Sequence, residues 1–392
     1  MTATPLAGIR VLELAAYISG PYATSILASL GAEVIKIEPV EGEMFRIGQN
    51  DKSAYFVQYN AGKKSVALNL KSAEGRALVE KLVADVDVLV ENMRPGKLDQ
   101  LGLSEAACRA LNPDLVYASI SGFGSGGEWR DRPSYDSIGQ AMGGIYTFMN
   151  DAGDVRLTGT CMADLITGVN TAMGIIAALL GRERQGGGSH LETSVFEAVS
   201  TLTIDAMTQA RDRGTDPVRQ TRHPQAQNFC LETASGDSIV LHLSSSQKFW
   251  RNLMQVVGHE ETTDDPRFAT YAKRVEPENY LAIAELLKAA FLLRTRADWE
   301  VALTEADVPF APALTMLEIF DHPQSHWLQM FDETPDGSTL VRPPWRFDGV
   351  RPERNRAAPR VGQDSEAVLK SIADQDMIDD LIARGLVSTG KA

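Results

Sequence analysis

Cysteine is scarce in this chain. Its 392 residues include three, Cys108, Cys161 and Cys230. They are odd in number and far apart, which fits neither a disulfide framework nor a zinc-ligand spacing. They read as buried thiols. Positive charge is short as well: 38 lysines and arginines against 52 aspartates and glutamates leave a net charge of −14. Such a chain repels polyanions overall, so neither nucleic acid nor an anionic membrane is expected as its main partner, and only local basic patches can bind anions. The stretch MTATPLAGIRVLELAAYISG has no basic n-region and no long apolar core. No secretory leader or membrane span is therefore expected there, and the cytoplasm is the expected compartment. What is abundant is ordinary: 44% hydrophobic and 23% charged residues, the balance of a globular protein long enough for two domains with separate cores.

One stretch organises the rest, residues 156–197, RLTGTCMADLITGVNTAMGIIAALLGRERQGGGSHLETSVFE. Asp164 opens an apolar segment at 165–180 that contains no proline and closes on Arg182, Arg184 and Gly186-Gly187-Gly188. The pattern predicts one buried helix with a glycine stop. Its polar side chains Thr167, Asn170 and Thr171 follow Asp164 at helical spacing and share one face with it. A carboxylate heading such a stripe has two readings. It is an N-cap that accepts from free backbone N–H groups, or an ionised group beside glycines that admit a ligand, and so a nucleophile.

Read in order, the first half alternates strand and helix. Residues 9–14 (IRVLEL), 33–38 (EVIKIE), 65–70, 86–91 and 115–120 are short apolar strands, and helices are expected from Gly20-Pro21 to about residue 30, at about 74–83 and at 104–111. The alternation predicts an α/β fold over residues 1–210, a doubly wound, Rossmann-like parallel sheet with right-handed crossovers. Ligands of such sheets sit beyond the carboxyl ends of the strands, which singles out the loops after Leu14, Glu38, Leu70, Glu91 and Ile120. Gly122, Gly124 and Gly127 satisfy G-x-G-x-x-G, but EWRDRP follows where a helix should start, so the stretch reads as a mobile loop. FGSGG misses G-x-S-x-G because Phe123 takes the first glycine's place, and no hydrolase elbow is expected. His322 and His326 lack a glutamate between them and a third ligand, so no zinc site is expected either. After a charged stretch at 211–220, residues 222–325 read as a small α+β domain. Two strands flank Ser235-Gly236-Asp237, and helices follow at 247–257, 279–292 and 297–306. The tail, 326–392, is proline-rich and extended up to a helix at 366–372, and is expected to return along the first domain.

Taken together, several segments resemble one family. GIRVLELAAYISGPYATSILASLGAEVIKIE, KSVALNLKSAEGRALVEKLVADVDVLVENMRPGKLDQLGL, LNPDLVYASISGFG and PSYDSIGQAMGG precede the Asp164 helix and its ERQGGGSHLETSVFEA continuation; DDPRF, VPFAPALT and APRVGQDSEAVL follow. In this order they are similar to the class III CoA-transferases, the family of formyl-CoA, carnitine and racemase types. The resemblance implies an interlocked homodimer of linked open rings, acyl-CoA and carboxylic acids as substrates, coenzyme A as the molecule exchanged, and no metal. It puts the family's catalytic aspartate on Asp164, working through an acyl-aspartyl anhydride and an aspartyl-CoA thioester, with N–H groups near Leu165 and Ile166 holding the oxyanion. It puts CoA contacts on Ile18 and Ser19, on Leu70, Lys71, Ser72 and Ala73, and on Asn92, Met93 and Arg94, with Ser134, Tyr135 and Asp136 nearer the thioester. Pro39 and Gln100 stand where some members have arginine, so the phosphates are expected to lean on Arg94, Lys97, Lys71 or Arg46. Each of these four also reads as a solvated surface cation.

Within the family the choice lies between transferase and 2-methylacyl-CoA racemase. Racemase-type members carry a histidine where this chain has Tyr135, before Asp136, and tyrosine with an ordinary pKa near 10 is a poor second base, which favours transfer. From another class, a non-catalytic nucleotide-binding regulator stays open, because Asp164 stands without a further acid–base constellation. The acceptor pocket is expected to draw on Arg222, His223, Gln225, Asn228 and the run from His242 to Trp250. Formyl-CoA-type members have a glycine-run lid where this chain has His223-Pro224-Gln225-Ala226, which argues against an oxalate-like acid.

Overall fold

Runs such as RVLEL and VLVE are apolar at successive positions instead of alternating, the pattern of strands covered on both faces. The computed structural model describes residues 4–46 and 53–390. In it these runs become β1 (Arg10–Leu14), β2 (Glu33–Glu38), β3 (Lys64–Leu68), β4 (Val88–Glu91), β5 (Val116–Ser121) and β6 (Ser189–Ser194). They form one sheet in the order β3-β2-β1-β4-β5-β6, all parallel, with the strand Val387–Ser388 added antiparallel on β3. The large sheet is thus mostly parallel, and its strand order reverses between β1 and β4, where Leu12 faces Ile35 on one side and Leu89 on the other. The edge strand β6 was not among the expected strands. Its sequence SHLETS is polar and half exposed, and it reads as loop without the neighbour that pairs with it.

The same unit holds the helices α1 (Ser19–Ser29), α2 (Ala54–Asn60), α3 (Ala73–Val83), α4 (Glu105–Leu111) and α5 (Asp136–Met142). After the short α6 (Ile145–Phe148) come α7 (Met162–Gln185) and α8 (Val195–Ser200). Serines start several of them, Ser72 accepting from Gly75 N–H and Ser104 from Ala107 N–H, as short hydroxyl side chains do at helix N-termini. One face of the sheet, through Leu12, Ile35 and Leu89, packs on Leu78, Leu82, Leu369 and Leu381. The other, through Val11, Val34 and Val88, packs on Leu27, Ile175 and Leu179.

The helix α7 is long and apolar enough to cross a membrane by length and composition, yet it packs against α1, α5, α8 and β6. It is buried on one face only, through residues such as Thr167, Gly168, Thr171 and Ile175, while Met173 and Leu180 are exposed. The expected polar stripe turns inward. Thr167 Oγ1 bonds Ala163 O at 2.6 Å and Asn170 Nδ2 bonds Ile166 O at 2.9 Å, so both serve the helix's own carbonyls. At Gly168 an added Cβ would stand 2.8 Å from Tyr22 Cδ1 and 3.0 Å from Ser19 O. Only a residue without a side chain lets the first turn of α1 rest on α7.

The central strands also carry charge. Glu13 on β1, Lys36 on β2 and Lys63 before β3 are buried, with Lys36 Nζ 2.8 Å and Lys63 Nζ 2.7 Å from the two Glu13 oxygens. Burial alone would raise the Glu13 carboxyl, but the two ammonium groups overcome it and hold it at about 2.

The chain divides into two compact units: the described residues up to 146 with 157–205 and 323 onward form one, and 147–156 with 206–322 the other. Relative to the expected limits, the boundary falls at 205 and not 210, residues 147–156 join the second unit, and the tail joins the first from 323. In the second unit Asn228–Glu232 and Ser238–His242 pair antiparallel, with Phe310–Pro312 alongside. Helices Gln247–Val257, Pro277–Phe291 and Arg296–Glu305 cover them around Trp250, Phe291 and Trp299. The cysteines depart from expectation. Cys108 is buried, but Cys161 is half-buried before α7 and Cys230 is exposed on the small sheet.

Candidate active site

Where the strand order reverses, the loops after β1 and β4 diverge and leave a crevice at the carboxyl ends, the usual ligand site of such sheets. Asn92, just past β4, ties the two loops together. Its Oδ1 accepts from Ala16 N–H at 3.0 Å, and its Nδ2 donates to Ala16 O at 2.8 Å. The next residue, Tyr17, has φ +65°, a left-handed conformation that side-chain-bearing residues adopt only when the surroundings impose it.

The crevice is a cavity of about 180 Å³ lined by Tyr17, Ser19, Asn92, Met93, Arg94, Ser134, Tyr135 and Asp164, with Arg130 and Arg132 also on its wall. Residues from four segments of the chain, 17–19, 92–94, 130–135 and Asp164, thus line one cavity. Lys97 lies in an adjoining hollow with Arg94 and Gln100. Other expected contacts fall outside both spaces. Ile18 is buried, its carbonyl taken by Tyr22 N–H at 2.7 Å. Leu70 leans on the core, Lys71 is exposed, and Ser72 with Ala73 starts α3. Arg46 is corrected more sharply. It is buried, with Nε and Nη2 each 2.8 Å from a Glu38 oxygen and its guanidinium 3.6 Å over the Phe56 ring, so it is committed inside the fold and not offered to a phosphate.

Asp164 is the third residue of α7, not its cap. The cap position is Cys161, whose side chain makes no capping bond. The capping acceptor comes from another helix: Asp136, at the start of α5, takes Ala163 N–H at 2.9 Å and Asp164 N–H at 3.2 Å on its Oδ1. Asp136 therefore stands behind the nucleophile candidate and does not line the cavity. Gln140 Nε2 completes it, donating to Asp136 Oδ2 at 2.6 Å and to Thr160 O at 2.8 Å. Among the described residues no donor reaches the Asp164 carboxylate. Burial, and then the charge of Asp136, push it up to about 7.

The expected oxyanion donors are also corrected. Leu165 N–H is spent on Cys161 O at 3.1 Å, and Ile166 lies inside the helical ladder. A different donor is free. Ser134 Oγ is buried without a partner among the described residues, and it fits because Gly122 has no side chain; a Cβ there would stand 2.3 Å from Ser134 Cβ. That explains Gly122, whereas Gly124 and Gly127 face open space with φ +95° and +76° and make no phosphate cradle.

Sequence reasoning passed over Tyr17, Arg130 and Arg132. Arg132 sits 3.9 Å over the Trp129 ring and Arg130 Nε donates to Ser125 O at 2.8 Å, so the stretch read as a mobile loop supplies two placed cations. The signal was there: two arginines immediately before PSYD in a chain short of positive charge. Tyr135 is exposed and meets Tyr17 edge-on at 5.9 Å between ring centres.

Residues 6–365 match CoA-transferase family III. The chain is 34% identical over 377 residues to an acetyl-CoA:oxalate CoA-transferase of Acetobacter aceti, covering 94% of this chain and 96% of that protein. It is 31% identical over 385 residues to a succinate–glutarate CoA-transferase of Agrobacterium fabrum, again 94% and 96% of the two. Among solved structures, a CaiB/BaiF family protein from Brucella suis superimposes with TM-score 0.85 at 31% identity, over 95% of this chain and 100% of that one. A match that takes in every strand of the parallel sheet, the crevice at its reversal point and Asp164 places the chain plainly: it belongs to CoA-transferase family III.

Proposed function

We propose that the protein moves coenzyme A from an acyl-CoA donor to a carboxylic acid, with Asp164 as the covalent carrier. The observation that carries the reading is a carboxylate without a donor partner among the described residues, on the wall of a crevice that also presents Ser19, Ser134 and three arginines. A carboxylate relieved of hydrogen bonds and partly desolvated is a stronger nucleophile than one in water. In the proposed sequence an Asp164 oxygen attacks the thioester carbonyl, the C–S bond breaks, and the thiolate leaves behind a mixed anhydride. The thiolate then attacks the aspartyl carbonyl of that anhydride, which releases the donor acid and forms an aspartyl thioester. An acceptor carboxylate attacks this thioester, giving an acceptor-aspartyl anhydride and free thiolate. Attack of the thiolate on the acceptor's acyl carbon regenerates Asp164. No net proton is transferred, so a carboxylate suffices where serine or cysteine would need a base.

Ser134 Oγ is the donor assigned to the developing oxyanion, in place of the backbone groups of α7. Arg94, Arg130 and Arg132 are assigned to the substrate's negative groups, with Lys97 next to them. Tyr135, in place of a histidine, supports transfer over racemisation. Relatives are named for oxalate, succinate and glutarate, which supports a dicarboxylate acceptor. His223-Pro224-Gln225-Ala226 in place of a glycine run favours the longer acids over oxalate.

Incubation with acyl-CoA and no acceptor should leave the Asp164 peptide heavier by coenzyme A, as a thioester that hydroxylamine removes. A protein that turns over acyl-CoA and acceptor with no such adduct, or an active Asp164→Ala variant, removes the covalent reading. Screening short-chain mono- and dicarboxylates as acceptors then identifies the acid.

A further inference from the structure

Outside the residues that touch the crevice, the most pointed arrangement is the one behind Asp164. The first N–H groups of a helix form its positive end and normally stabilise an anion in the first turn. Here two of them, Ala163 N–H and Asp164 N–H, point to Asp136 Oδ1. The carboxylate of Asp136 is held in that place by three donors, the two N–H groups on Oδ1 and a side-chain amide on Oδ2. Gln140 Nε2 holds Oδ2 at 2.6 Å, and Thr158 Oγ1 in turn donates to Gln140 Oε1 at 2.6 Å. Behind these, Gly139 lets α5 approach α7 and α8 closely; a Cβ there would stand 2.3 Å from Val195 Cγ1 and 3.0 Å from Ala163 Cβ.

We propose that Asp136 is a positioning residue that diverts the positive end of α7 from Asp164 and sets a fixed negative charge beside it, making Asp164 a more basic and more reactive nucleophile. The inference rests on the reading of Asp164 as the covalent carrier. A neutral cap would give α7 the same two hydrogen bonds, so the charge of Asp136 is not required by the fold. The other titratable groups facing Asp164 do not supply this effect. Tyr59 from α2 and the Cys161 thiol are both raised and neutral near pH 7. The crevice adds Tyr17 and Tyr135 and the cations Arg94, Arg130 and Arg132, which act in the opposite sense. Glu197 of α8 is occupied by Ser194 Oγ at 2.6 Å. Burial first and the charge of Asp136 second raise the Asp164 carboxyl, in agreement with the geometry.

The test is Asp136→Asn, which keeps an acceptor for both N–H groups and removes the charge. Steady-state transfer is followed across pH 5 to 9 at saturating substrate. The acid limb of kcat should move down by about one pH unit, as expected when a close like charge is removed. On the alkaline plateau kcat should fall about threefold, given a Brønsted slope of roughly 0.4–0.5 like that of thiolates, while KM for acyl-CoA stays unchanged. A purely structural cap predicts loss of Tm or amplitude with the limb in place, and an unmoved limb overturns the proposal. If Asp136→Asn does not fold, Asp136→Ser, a shorter neutral cap, must show the same downward movement. Failure of the carrier reading is distinguishable, because it appears as an active Asp164→Ala whatever the Asp136 variants do.

Discussion

Asp164 occupies a place that disfavours its charge, and that has a price in stability. Its carboxyl sits at about 7 in the folded protein against an ordinary 3.8. Below about pH 4 both folded and unfolded chains hold the proton and the site costs nothing. Between there and pH 7 the unfolded chain ionises first, so stability is lost as pH rises, and above 7 the full penalty is present. At about 1.4 kcal/mol per tenfold change in ionisation the limit is roughly 4 kcal/mol, and solvent entering through the cavity reduces it to about 2 kcal/mol. Asp164→Asn should therefore be inactive yet more stable than the parent by about that amount in urea at pH 8, with the gap narrowing toward pH 5. A variant less stable at pH 8 contradicts this environment for the carboxylate. Asp164 itself was legible in the sequence through its apolar helix and the family resemblance. Its isolation was not, because the group that takes its helix end lies 28 residues away on α5, and capping rules see only neighbours in the chain.

At the scale of elements, α5 is the part that sets this geometry. It bears on its neighbours through glycines one turn apart: a Cβ on Gly139 would stand 2.3 Å from Val195 Cγ1 and 3.0 Å from Ala163 Cβ, and one on Gly143 2.0 Å from Val199 Cγ1. Gly139→Ala should push α5 outward, carry Asp136 off the end of α7, destabilise by about 1–3 kcal/mol, and lower kcat more than KM. Gly181→Ala on α7, where an added Cβ meets nothing within 4 Å, should instead be neutral or stabilising by up to ~1 kcal/mol. Thermal unfolding and kinetics of the pair check the argument. These glycines also explain what was hidden in the sequence. No helix is expected over PSYDSIGQAMGG, yet its Gly139 lies inside α5 and, with Gly143, marks close packing on α8. The polar β6 stayed hidden because its partner alone makes it a strand. By contrast β1, β2 and the helix Gln247–Val257 lie within a residue of where their apolar patterns put them, since there burial and local pattern agree.

The unit that holds the parallel sheet closes on the C-terminal segment. Asp364 Oδ2 takes Ser65 N–H at 2.9 Å, Ser365 Oγ takes Ala67 N–H at 3.0 Å, and Leu369, Ile378 and Leu381 enter the same core as Leu12. With the interlocked dimer inferred from the family resemblance, sedimentation at micromolar concentration should give a dimer that dilution does not dissociate, since linked rings part only on unfolding. A reversible monomer contradicts that assembly. Through the middle of the sheet, finally, run Glu13, Lys36 and Lys63. Lys36 Nζ also lies 3.0 Å from buried Glu43, so Lys36→Met strips Glu43 of its counter-ion in a dry interior at about 3–5 kcal/mol, whereas exchanging the whole set of four for apolar residues of like volume is often neutral or better. No path of single tolerated changes joins the two arrangements. Descendants of a common ancestor should therefore inherit Glu13, Lys36, Glu43 and Lys63 together or lack them together, and the four positions record lineage where their neighbours drift.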